Sequence, residues 1–291
     1  MSEQNPELSV IVIAYNGREY LSDCLHTLLE DLEGINGEVI VIDNASTDGS
    51  RELIREHFAS VRLIELERNL GFTKAVNWGI AAADSPVLLI LNQDTRIRKG
   101  ALSALLRRLR RDDKIGVIGP KFVGFDGNTQ LSARAFPTFR HVWYDALFLS
   151  KMLPQDREFA SWRMGWFDHE SELEVDQPMG AAIMVRREVI NEVGLLDESF
   201  PMFFSDVDWC HRMVRAGYRN LYFPEAVIVH AVGGSTSRHP IRWRFESHVS
   251  MYRYLAKYSR WYSRPLLWLT GLALGLGLAP SLIGRLFHRR V

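Results

Sequence analysis

The stretch SVIVIAY, residues 9–15, is a β-branched apolar run without a charged residue. Such a run is typical of a strand that is covered on both faces, as in a parallel sheet. After it, apolar residues between Tyr20 and Leu32 recur at helical spacing, and EVIVID, residues 38–43, predicts a second buried strand. We therefore expect a strand, a helix and a parallel strand.

The same alternation continues along the chain. The next predicted elements are NASTDGS as a turn with helix-cap residues, VRLIEL (61–66) as a strand, Thr73–Ala83 as a helix and PVLLIL (86–91) as a strand. This order predicts an α/β fold with a mostly parallel, Rossmann-like central sheet flanked by helices over roughly the first 120 residues. Periodicity weakens from 121 to 177, which suggests a long excursion over the active-site side before GAAIMV (180–185) and a helix near 187–193.

Composition limits the function classes. The chain has 291 residues, 47% of them hydrophobic, and its 35 basic and 35 acidic residues cancel. A globular protein without a general affinity for nucleic acid is expected. Cys24 and Cys210 are too few for a disulfide framework and lack zinc-site spacing, so both are interpreted as packing residues of a protein in a reducing compartment. The N-terminal residues lack the basic region of a secretory signal.

Polar residues follow three of the predicted strands. They are Asn16, Asp43 with Asn44, and Asn92 with Asp94. Parallel strands end at one edge, where open α/β sheets bind ligands. The chain has neither a GxGxxG after its first strand nor a GxxxxGK[ST] loop, so dinucleotide oxidoreductases and P-loop NTPases are disfavoured. A crevice with few fixed cations suggests Mg²⁺ or Mn²⁺ held by Asp94, whose alternative role is a turn or cap carboxylate.

Seven ordered motifs resemble those of the inverting GT-A glycosyltransferases of glycosyltransferase family 2, and most of all their bacterial rhamnosyltransferase-like branch. They are SVIVIAYNG, VIDNASTDGS, NLGFTKAVNWGI, LLILNQDT, GAAIMVRREVINEVGLLDESF, FFSDVDWCHRMVRAGY and VIVHAVGGS, between residues 8 and 237. The resemblance implies a GT-A domain over 1–238, with a nucleotide-sugar half at about 1–120 and an acceptor half at about 121–238, followed by a tail at 239–291.

The resemblance also implies residues that bind the nucleotide sugar. They are Ala14, Tyr15, Asn16, Asp43, Asn44, Asn69, Gly71, Phe72, Lys74, Asn77, Asn92 and Gln93. Asn44 replaces an aspartate that is frequent in the wider family, as is usual in the rhamnosyltransferase-like branch. Gly71 would permit close backbone approach, and Lys74 is either a ligand residue or a solvated helix residue.

The metal ligands implied by the resemblance are Asp94 and His230. LNQDT is similar to the family's DXD-type motif but has Asn92 at its first position. His230 matches a histidine that approaches the metal or diphosphate in relatives, and its alternative is a structural histidine at a strand end.

The implied catalytic base is Asp206, with Asp208 as the second candidate. Ser205 stands where the family motif usually has a glutamate. The alternative for Asp208 is a salt bridge to Arg212 four residues later on a helix. The acceptor side would involve Gly180, Ala181 and Trp209, for which core packing is an equal alternative.

The tail combines a helix at 241–264, rich in basic and aromatic residues, with the uncharged segment 265–284. Twenty helical residues would measure about 30 Å, roughly the hydrocarbon thickness of a bilayer. A helical tail associated with the cytoplasmic face of the cell membrane is predicted, as a peripheral, monotopic or single C-terminal anchor. The alternatives are a basic helix docked on the catalytic domain, and an apolar helix that packs on another subunit through Gly271 and Gly275.

These features predict a metal-dependent inverting glycosyltransferase. It would transfer L-rhamnose from dTDP-L-rhamnose to a cell-surface glycan or its lipid-linked precursor. One alternative is the same fold using UDP-hexose or another nucleotide sugar. A non-catalytic scaffold that binds nucleotide or glycan is conceivable because of Ser205 and the single carboxylate of LNQDT, and a nucleotidyltransferase is disfavoured because no phosphate loop rich in glycine and lysine is present.

Overall fold

The computed structural model describes residues 5–231 and 240–276. Its strands are β1 (Leu8–Ala14), β2 (Gly37–Asp43), β3 (Arg62–Glu65), β4 (Val87–Asn92), β5 (Thr95–Ile97), β6 (Ile115–Val123), β7 (Ala133–Arg134), β8 (Leu173–Val175), β9 (Gln177–Pro178), β10 (Ala182–Arg186) and β11 (Arg219–His230). Its helices are α1 (Arg18–Leu32), α2 (Ser50–His57), α3 (Phe72–Ala82), α4 (Ala101–Arg110), α5 (Phe139–Ala146), α6 (Leu149–Met152), α7 (Arg187–Val193), α8 (Ser205–Arg215), α9 (Pro240–Tyr258) and α10 (Arg264–Leu276), with a 3₁₀ turn at Trp261–Ser263.

The central sheet has the strand order β3-β2-β1-β4-β10-β6-β11-β5, and β8 pairs with β11. The pairs β2–β3, β1–β2, β1–β4 and β6–β11 are parallel, whereas β10 runs antiparallel to both β4 and β6. The prediction of a mostly parallel α/β sheet flanked by helices is confirmed. The antiparallel β10 places the segment before it, residues 180 and 181, at the edge where β1, β2 and β4 end.

The first half of the chain folds as its apolar pattern predicts. Every residue of β1 is buried, because helices cover both faces of this central strand. On one face the core contains Leu21, Cys24 and Leu25 of α1, and on the other it contains Ala75 and Val76 of α3. Cys24 and Cys210 are both free and buried, which agrees with the packing role expected from the sequence.

The segment from 121 to 177 contains more regular structure than its weak periodicity suggests. It includes the end of β6, the short helices α5 and α6, and the small strands β7, β8 and β9. β7 pairs with β9 rather than with a neighbour in sequence, at the register Ala133↔Pro178 and Arg134↔Gln177. This pairing brings the segment back to the sheet close to residue 180.

The helix predicted at 241–264 is observed in part as α9, which ends at Tyr258 and docks on the catalytic domain. Met251, Tyr254 and Leu255 are buried in a cluster with Phe204 and Val207. The domain-docking alternative therefore describes α9. No helix among the described residues is long and apolar enough to cross a membrane, and residues 277–284 of the predicted apolar segment lie outside the described part of the chain.

Candidate active site

The candidate site lies at the edge of the sheet where β1, β2, β4 and β11 end. Ala14 and Asp43 are register partners at the ends of β1 and β2, and His230 at the end of β11 pairs with Thr95 of β5. Asp94 immediately precedes Thr95. The backbone N–H of Asn92 donates to the carbonyl of Ala181, 2.8 Å away, which ties the end of β4 to the segment that precedes β10.

Asp94 and His230 form a largely buried pair. Asp94 Oδ1 lies 3.6 Å from His230 Nε2, and the side chains are 8% and 11% exposed. Burial raises the pKa of the Asp94 carboxyl, an effect opposed by the attraction of His230. Burial also lowers the pKa of His230, against the attraction of Asp94, so the imidazole is neutral at neutral pH.

The other nitrogen of His230 is held by Gln130. His230 Nδ1 lies 3.2 Å from Gln130 Oε1, and Gln130 Nε2 donates to the backbone carbonyl of His230 at 2.8 Å. A neutral imidazole whose Nδ1–H donates to Gln130 directs the lone pair of Nε2 towards Asp94. This is the second-sphere arrangement that orients a metal-binding histidine.

The Asp94 carboxylate and the His230 imidazole are suitable ligands for a hard divalent cation that also binds phosphate oxygens. Within the described ranges no group of three or more His, Cys, Asp or Glu side chains is arranged to hold a metal. The pair predicted from the sequence, Asp94 and His230, is a candidate set of two protein ligands. Mg²⁺ is commonly held by one or two carboxylates together with substrate phosphates and water, so two protein ligands are sufficient.

Asp43 is fully buried at the end of β2, in the part of the sheet edge where the nucleotide is predicted to bind. Its Oδ1 accepts hydrogen bonds from Arg51 Nε and, at 3.0 Å, from the backbone N–H of Ser46. Its Oδ2 is buried and accepts no hydrogen bond from the residues that the structure describes. Arg51 balances the charge of this carboxylate, and Oδ2 remains available as an acceptor.

Other predicted nucleotide residues shape the loops around this pocket. Asn44 accepts a hydrogen bond from the N–H of Leu70 at 2.8 Å and donates to the carbonyl of Gly71 at 3.1 Å. Asn69 Oδ1 accepts the N–H of Gly71 at 2.8 Å, and Gly71 has a φ of 86°. The side chains of Asn44 and Asn69 therefore set the course of the loop that precedes α3.

Gln93 fixes the two strand ends on either side of the predicted base site. Its side chain accepts the N–H of Tyr15 and donates to the carbonyl of Tyr15, both at 3.0 Å. A Cβ at Gly17 would lie 2.3 Å from Gln93 Nε2, so a side chain there would displace the Gln93 amide from Tyr15. Asn16 is similarly engaged, because its Oδ1 accepts the N–H of Thr47 at 2.8 Å. Ala14 is fully buried, and Tyr15 is 39% exposed.

Three predicted residues lie on α3. Asn77 is buried and clamps Leu196, donating to its carbonyl at 3.0 Å and accepting its N–H at 3.1 Å. Its side chain faces the loop before α8, so the prediction that Asn77 touches the nucleotide sugar does not fit this geometry. Lys74 is about half exposed and lies 3.7 Å from Glu198, which leaves both of its alternatives open. Phe72 is half-buried against the core.

Asp206 lies in the first turn of α8, directly after Ser205, and packs against Gly180. A Cβ at Gly180 would come within 2.5 Å of Asp206 Oδ2, so the absence of a side chain there lets the carboxylate approach the β10 edge. Gln177 Nε2 donates to Asp206 Oδ2 at 2.6 Å. Burial raises the pKa of Asp206, an effect that backbone N–H donors at the helix start and the charge of Arg134 oppose.

Asp94 and Asp206 therefore lie at the same edge of the sheet. Asp206 contacts Gly180, the next residue accepts a hydrogen bond from Asn92, and Asn92 is two residues before Asp94. Asn92 Oδ1 is itself buried without a hydrogen-bond partner in the described part of the chain.

Asp208 has the structural role that the sequence offered as its alternative. It is fully buried and accepts hydrogen bonds from Arg212 Nε at 2.9 Å and from the Tyr258 hydroxyl at 2.7 Å, while Lys257 Nζ lies 2.6 Å away. These partners link α8 to α9 and leave no free face for a substrate. The second candidate for the base is thus corrected to a structural residue.

Of the predicted acceptor residues, Gly180 and Ala181 lie beside Asp206, whereas Trp209 does not face the site. Trp209 is fully buried in the core and its Nε1 donates to the carbonyl of Gly194 at 2.9 Å. Stacking of this indole on a sugar ring is excluded by its burial, and the core-packing alternative applies.

Four residues of this edge were not identified from the sequence. Arg51, Gln130, Arg134 and Gln177 contact or face Asp43, His230 and Asp206. Three of them lie in the weakly periodic segment 121–177. Arg134 and Gln177 reach the site through the pairing of β7 with β9, and Gln130 follows a turn whose backbone bonds return to the end of β6. No spacing signal in one sequence marks such residues.

The fold is that of a GT-A glycosyltransferase. A solved structure of GalNAc-T7 with UDP, GalNAc and Mn²⁺ superposes with a TM-score of 0.60 at 18% identity over 79% of this chain and 44% of that one. The mannosyltransferase PcManGT from Pyrobaculum calidifontis, in complex with GDP-Man and Mn²⁺, gives 0.59 at 17% identity over 97% of this chain and 76% of that one.

The chain belongs to glycosyl transferase family 2, whose model matches residues 9–172. It is 30% identical to the N-acetylglucosaminyl-diphospho-decaprenol L-rhamnosyltransferase of Mycobacterium tuberculosis, over 90% of this chain and 88% of that one. It is 23% identical to the dTDP-rhamnosyl transferase RfbF of Shigella flexneri, over 79% of this chain and 70% of that one. The expected place among rhamnosyltransferase-like members is confirmed.

Proposed function

We propose that this protein is a metal-dependent inverting glycosyltransferase that transfers L-rhamnose from dTDP-L-rhamnose to a lipid-linked precursor of a cell-surface glycan. The observation that carries the proposal is the shared sheet edge of the Asp94–His230 pair and Asp206. The activities for which the mycobacterial and Shigella relatives are named support the rhamnosyl donor and, for the former, a diphospho-decaprenol acceptor.

Asp94 Oδ1 and His230 Nε2 would hold Mg²⁺ or Mn²⁺. When bound, the cation would neutralise the negative charge of the nucleoside diphosphate leaving group. Gln130 keeps Nε2 unprotonated, and burial keeps His230 neutral at neutral pH. The Mn²⁺ in the solved structures of GalNAc-T7 and PcManGT is consistent with this assignment.

Asp43 would recognise the base. Its buried Oδ2 has no donor among the described residues, and the N3–H of thymine or uracil is a group that could supply one. Tyr15 and Asn16 border the same end of β1. This recognition supports a dTDP or UDP donor, and the same fold using UDP-hexose is the nearest rival.

Asp206 would act as the general base. Its carboxylate takes the proton from an acceptor hydroxyl while that oxygen forms a bond to the anomeric carbon. The bond from the anomeric carbon to the diphosphate oxygen breaks on the opposite side, and its electron pair leaves with the diphosphate. A single displacement inverts the anomeric centre. The raised pKa of Asp206 makes it a better proton acceptor than an exposed aspartate.

We retain the division into a nucleotide-sugar half at about 1–120 and an acceptor half at about 121–238. β1–β4 carry the residues assigned to the donor, while Gly180 and Asp206 lie in the second half. The helices after residue 239 would place the domain at the cytoplasmic face of the cell membrane.

The membrane proposal is supported by α10 and the α5–α6 region. α10 packs Leu267 and Ala273 inward and leaves Trp268, Leu269 and Leu272 exposed on the other side. α10 contacts α5, and the neighbouring residues Leu147, Phe148, Met152 and Leu153 are also exposed. Apolar side chains with basic Arg260 and Arg264 nearby suit a surface of anionic lipid.

A liposome test checks this surface. Wild-type protein should sediment with vesicles that contain phosphatidylglycerol, and Leu269→Glu with Leu272→Glu should reduce the bound fraction several-fold. Val214→Glu changes an exposed apolar residue of α8 and serves as the control. Equal binding by all three proteins would reject α10 as the docking face.

A screen of donors tests the proposed reaction. With Mn²⁺ and a polyprenyl-diphosphate-linked N-acetylglucosamine acceptor, release of dTDP from dTDP-L-rhamnose should exceed release of UDP from UDP-hexoses. Faster UDP release would favour the UDP-hexose rival. Nucleotide binding without turnover of any donor would favour the non-catalytic scaffold.

A further inference from the structure

Arg134 occupies a position beside the proposed base that the reaction described above does not use. It lies in β7, opposite Gln177 of β9. Gln177 in turn donates its side-chain N–H to Asp206 Oδ2 at 2.6 Å. The positive charge of Arg134 also acts on Asp206 and opposes the rise in its pKa. The guanidinium therefore lies next to the acceptor side of the site.

The charge of Arg134 is not matched by a partner. Within residues 5–231 and 240–276, no hydrogen bond or ion pair engages its guanidinium. Burial lowers the pKa of Arg134, and the like charge of Arg163 lowers it further. The nearby Asp145 is already taken, because Arg163 binds it through two hydrogen bonds of 2.7 and 2.9 Å.

A half-buried guanidinium without a hydrogen-bonded anion costs stability, since it loses water and gains only the more distant attraction of Asp206 and Asp145. Its planar fork matches the geometry of a phosphate group better than any other side chain. The N–H groups of Arg134, which bind no carboxylate among the described residues, thus suit an anionic ligand that arrives with a substrate.

The charges around Arg134 indicate which substrate brings that anion. The groups that influence its pKa are Arg163, Asp206 and Asp145. Asp94 and His230 instead affect each other's pKa, in the part of the site where the metal is predicted to bind. The β7–β9 pairing places Arg134 beside the contact of Gln177 with Asp206, whereas the Asp94–His230 pair lies just after β4 and at the end of β11.

We propose that Arg134 binds a phosphate group of the acceptor and so holds the acceptor hydroxyl beside Asp206. This inference rests on the proposed function, since it assumes that an anionic lipid-linked acceptor occupies the site. A phosphate on Arg134 would also weaken its pull on Asp206, so the base would become stronger when the acceptor is bound.

Kinetics with both substrates test the assignment. For Arg134→Gln, KM for the polyprenyl-diphosphate-linked acceptor should rise by about 10- to 100-fold, as expected for the loss of charge-assisted hydrogen bonds. KM for the nucleotide sugar should stay within about twofold. Arg134→Lys keeps the charge but loses the fork, and its KM should be intermediate. The matched control is Arg140→Gln. It removes an exposed charge on α5 that is paired with Glu158.

Binding measurements separate this inference from the proposed reaction. Farnesyl phosphate in metal-free buffer should bind to wild-type protein and to Arg140→Gln, and at least tenfold more weakly to Arg134→Gln. Binding of dTDP with Mn²⁺ should be unchanged in all three. This pattern would support Arg134 even if rhamnose were not transferred.

Three results would contradict the assignment of Arg134 to the acceptor phosphate. If Arg134→Gln left farnesyl phosphate binding and acceptor KM unchanged, the inference would be wrong. If it raised the KM for the donor as much as that for the acceptor, the phosphate would belong to the donor. A Tm below wild type would indicate a structural role, because removal of an unpaired charge should leave Tm unchanged or raise it.

Discussion

Asp206 combines limited access to water with hydrogen-bond donors that hold one of its oxygens. Gln177 engages Oδ2, Gly180 leaves room for the carboxylate, and burial raises its pKa. Asp208, two residues later, is fully buried and occupied by Arg212, Tyr258 and Lys257. Two aspartates on one turn of helix thus have different roles because of their neighbours.

Asp206→Asn should abolish most transfer while leaving donor binding intact. The amide cannot take the hydroxyl proton, and loss of a general base typically lowers kcat by about 10²- to 10⁴-fold. Single-turnover transfer and the Kd for dTDP with Mn²⁺ measure the two effects. Asp113→Asn, at a 91% exposed carboxylate, is the control. If Asp206→Asn transferred the sugar at the wild-type rate, Asp206 would be excluded as the base.

The pH profile should report the raised pKa of Asp206. The base works in its ionised form, so kcat/KM should fall as the pH drops through the pKa of Asp206. Because burial raises that pKa, the acid limb should lie above the ordinary value of 3.8 for aspartate. A profile that stays flat down to pH 4 would contradict the assignment.

Gln130 should control metal affinity without touching the metal. Gln130→Met removes the acceptor for His230 Nδ1–H, which frees the ring to adopt the other tautomer. Loss of such a second-sphere partner typically weakens metal binding by about 10- to 100-fold. Titration of Mn²⁺ followed by electron paramagnetic resonance, with dTDP present, measures this. An unchanged affinity would show that His230 is not a ligand.

At the scale of elements, α9 braces the helix that carries the base. Tyr258 and Lys257 of α9 bind Asp208 of α8, and the rings of His211 and Tyr258 stack with centroids 3.8 Å apart. Arg253 donates to the carbonyl of Ser199 at 2.9 Å. The basic residues of α9 that looked suited to a lipid surface are partly used to dock it on the catalytic domain.

Asp208→Asn should loosen this brace. It removes the charge that Arg212 and Lys257 share, so the free energy of unfolding should fall by about 2–3 kcal/mol, less than for a fully buried pair because both cations remain partly exposed. Urea denaturation measures the loss. Glu174→Gln, at an exposed pair with Arg219, should change it by less than about 1 kcal/mol. Equal losses in both variants would contradict the brace.

The elements also show what one sequence can reveal. The apolar runs of β1, β2 and β4 are buried, so the sequence predicts these strands and the polar residues at their ends. The pairing of β7 with β9 and the insertion of β10 depend on contacts between distant residues, and no local pattern encodes them. Arg134 and Gln177 were therefore missed. Asp94 was identified from its position after a predicted strand, and Asp206 and His230 through motif resemblance.

At the scale of the whole molecule, buried histidines should make the protein sensitive to acid. Burial lowers the pKa of His141, His169, His211, His230 and His248 below the ordinary 6.5. Each contributes stability that is present above pH 6.5 and lost as the pH falls through its lower folded-state pKa. Burial raises the pKa of Asp94, Asp176 and Asp206, an opposite contribution that is relieved on acidification.

The free energy of unfolding should therefore decline as the pH falls below about 6.5, the range in which unfolded histidines gain protons. Urea denaturation at pH 7.5, 6.5 and 5.5 measures it. Stability that is constant or rises between pH 7.5 and 5.5 would mean that the carboxyl groups outweigh the histidines.

The central claim is that one edge of the sheet brings a metal-bound diphosphate and the base Asp206 together. A crystal structure with dTDP and Mn²⁺ tests it most directly. We expect an anomalous manganese peak in contact with Asp94 and His230, thymine N3–H on Asp43 Oδ2, and the diphosphate on the side of the metal that faces Asp206. Manganese bound elsewhere, or side chains packed between the diphosphate and Asp206, would contradict it.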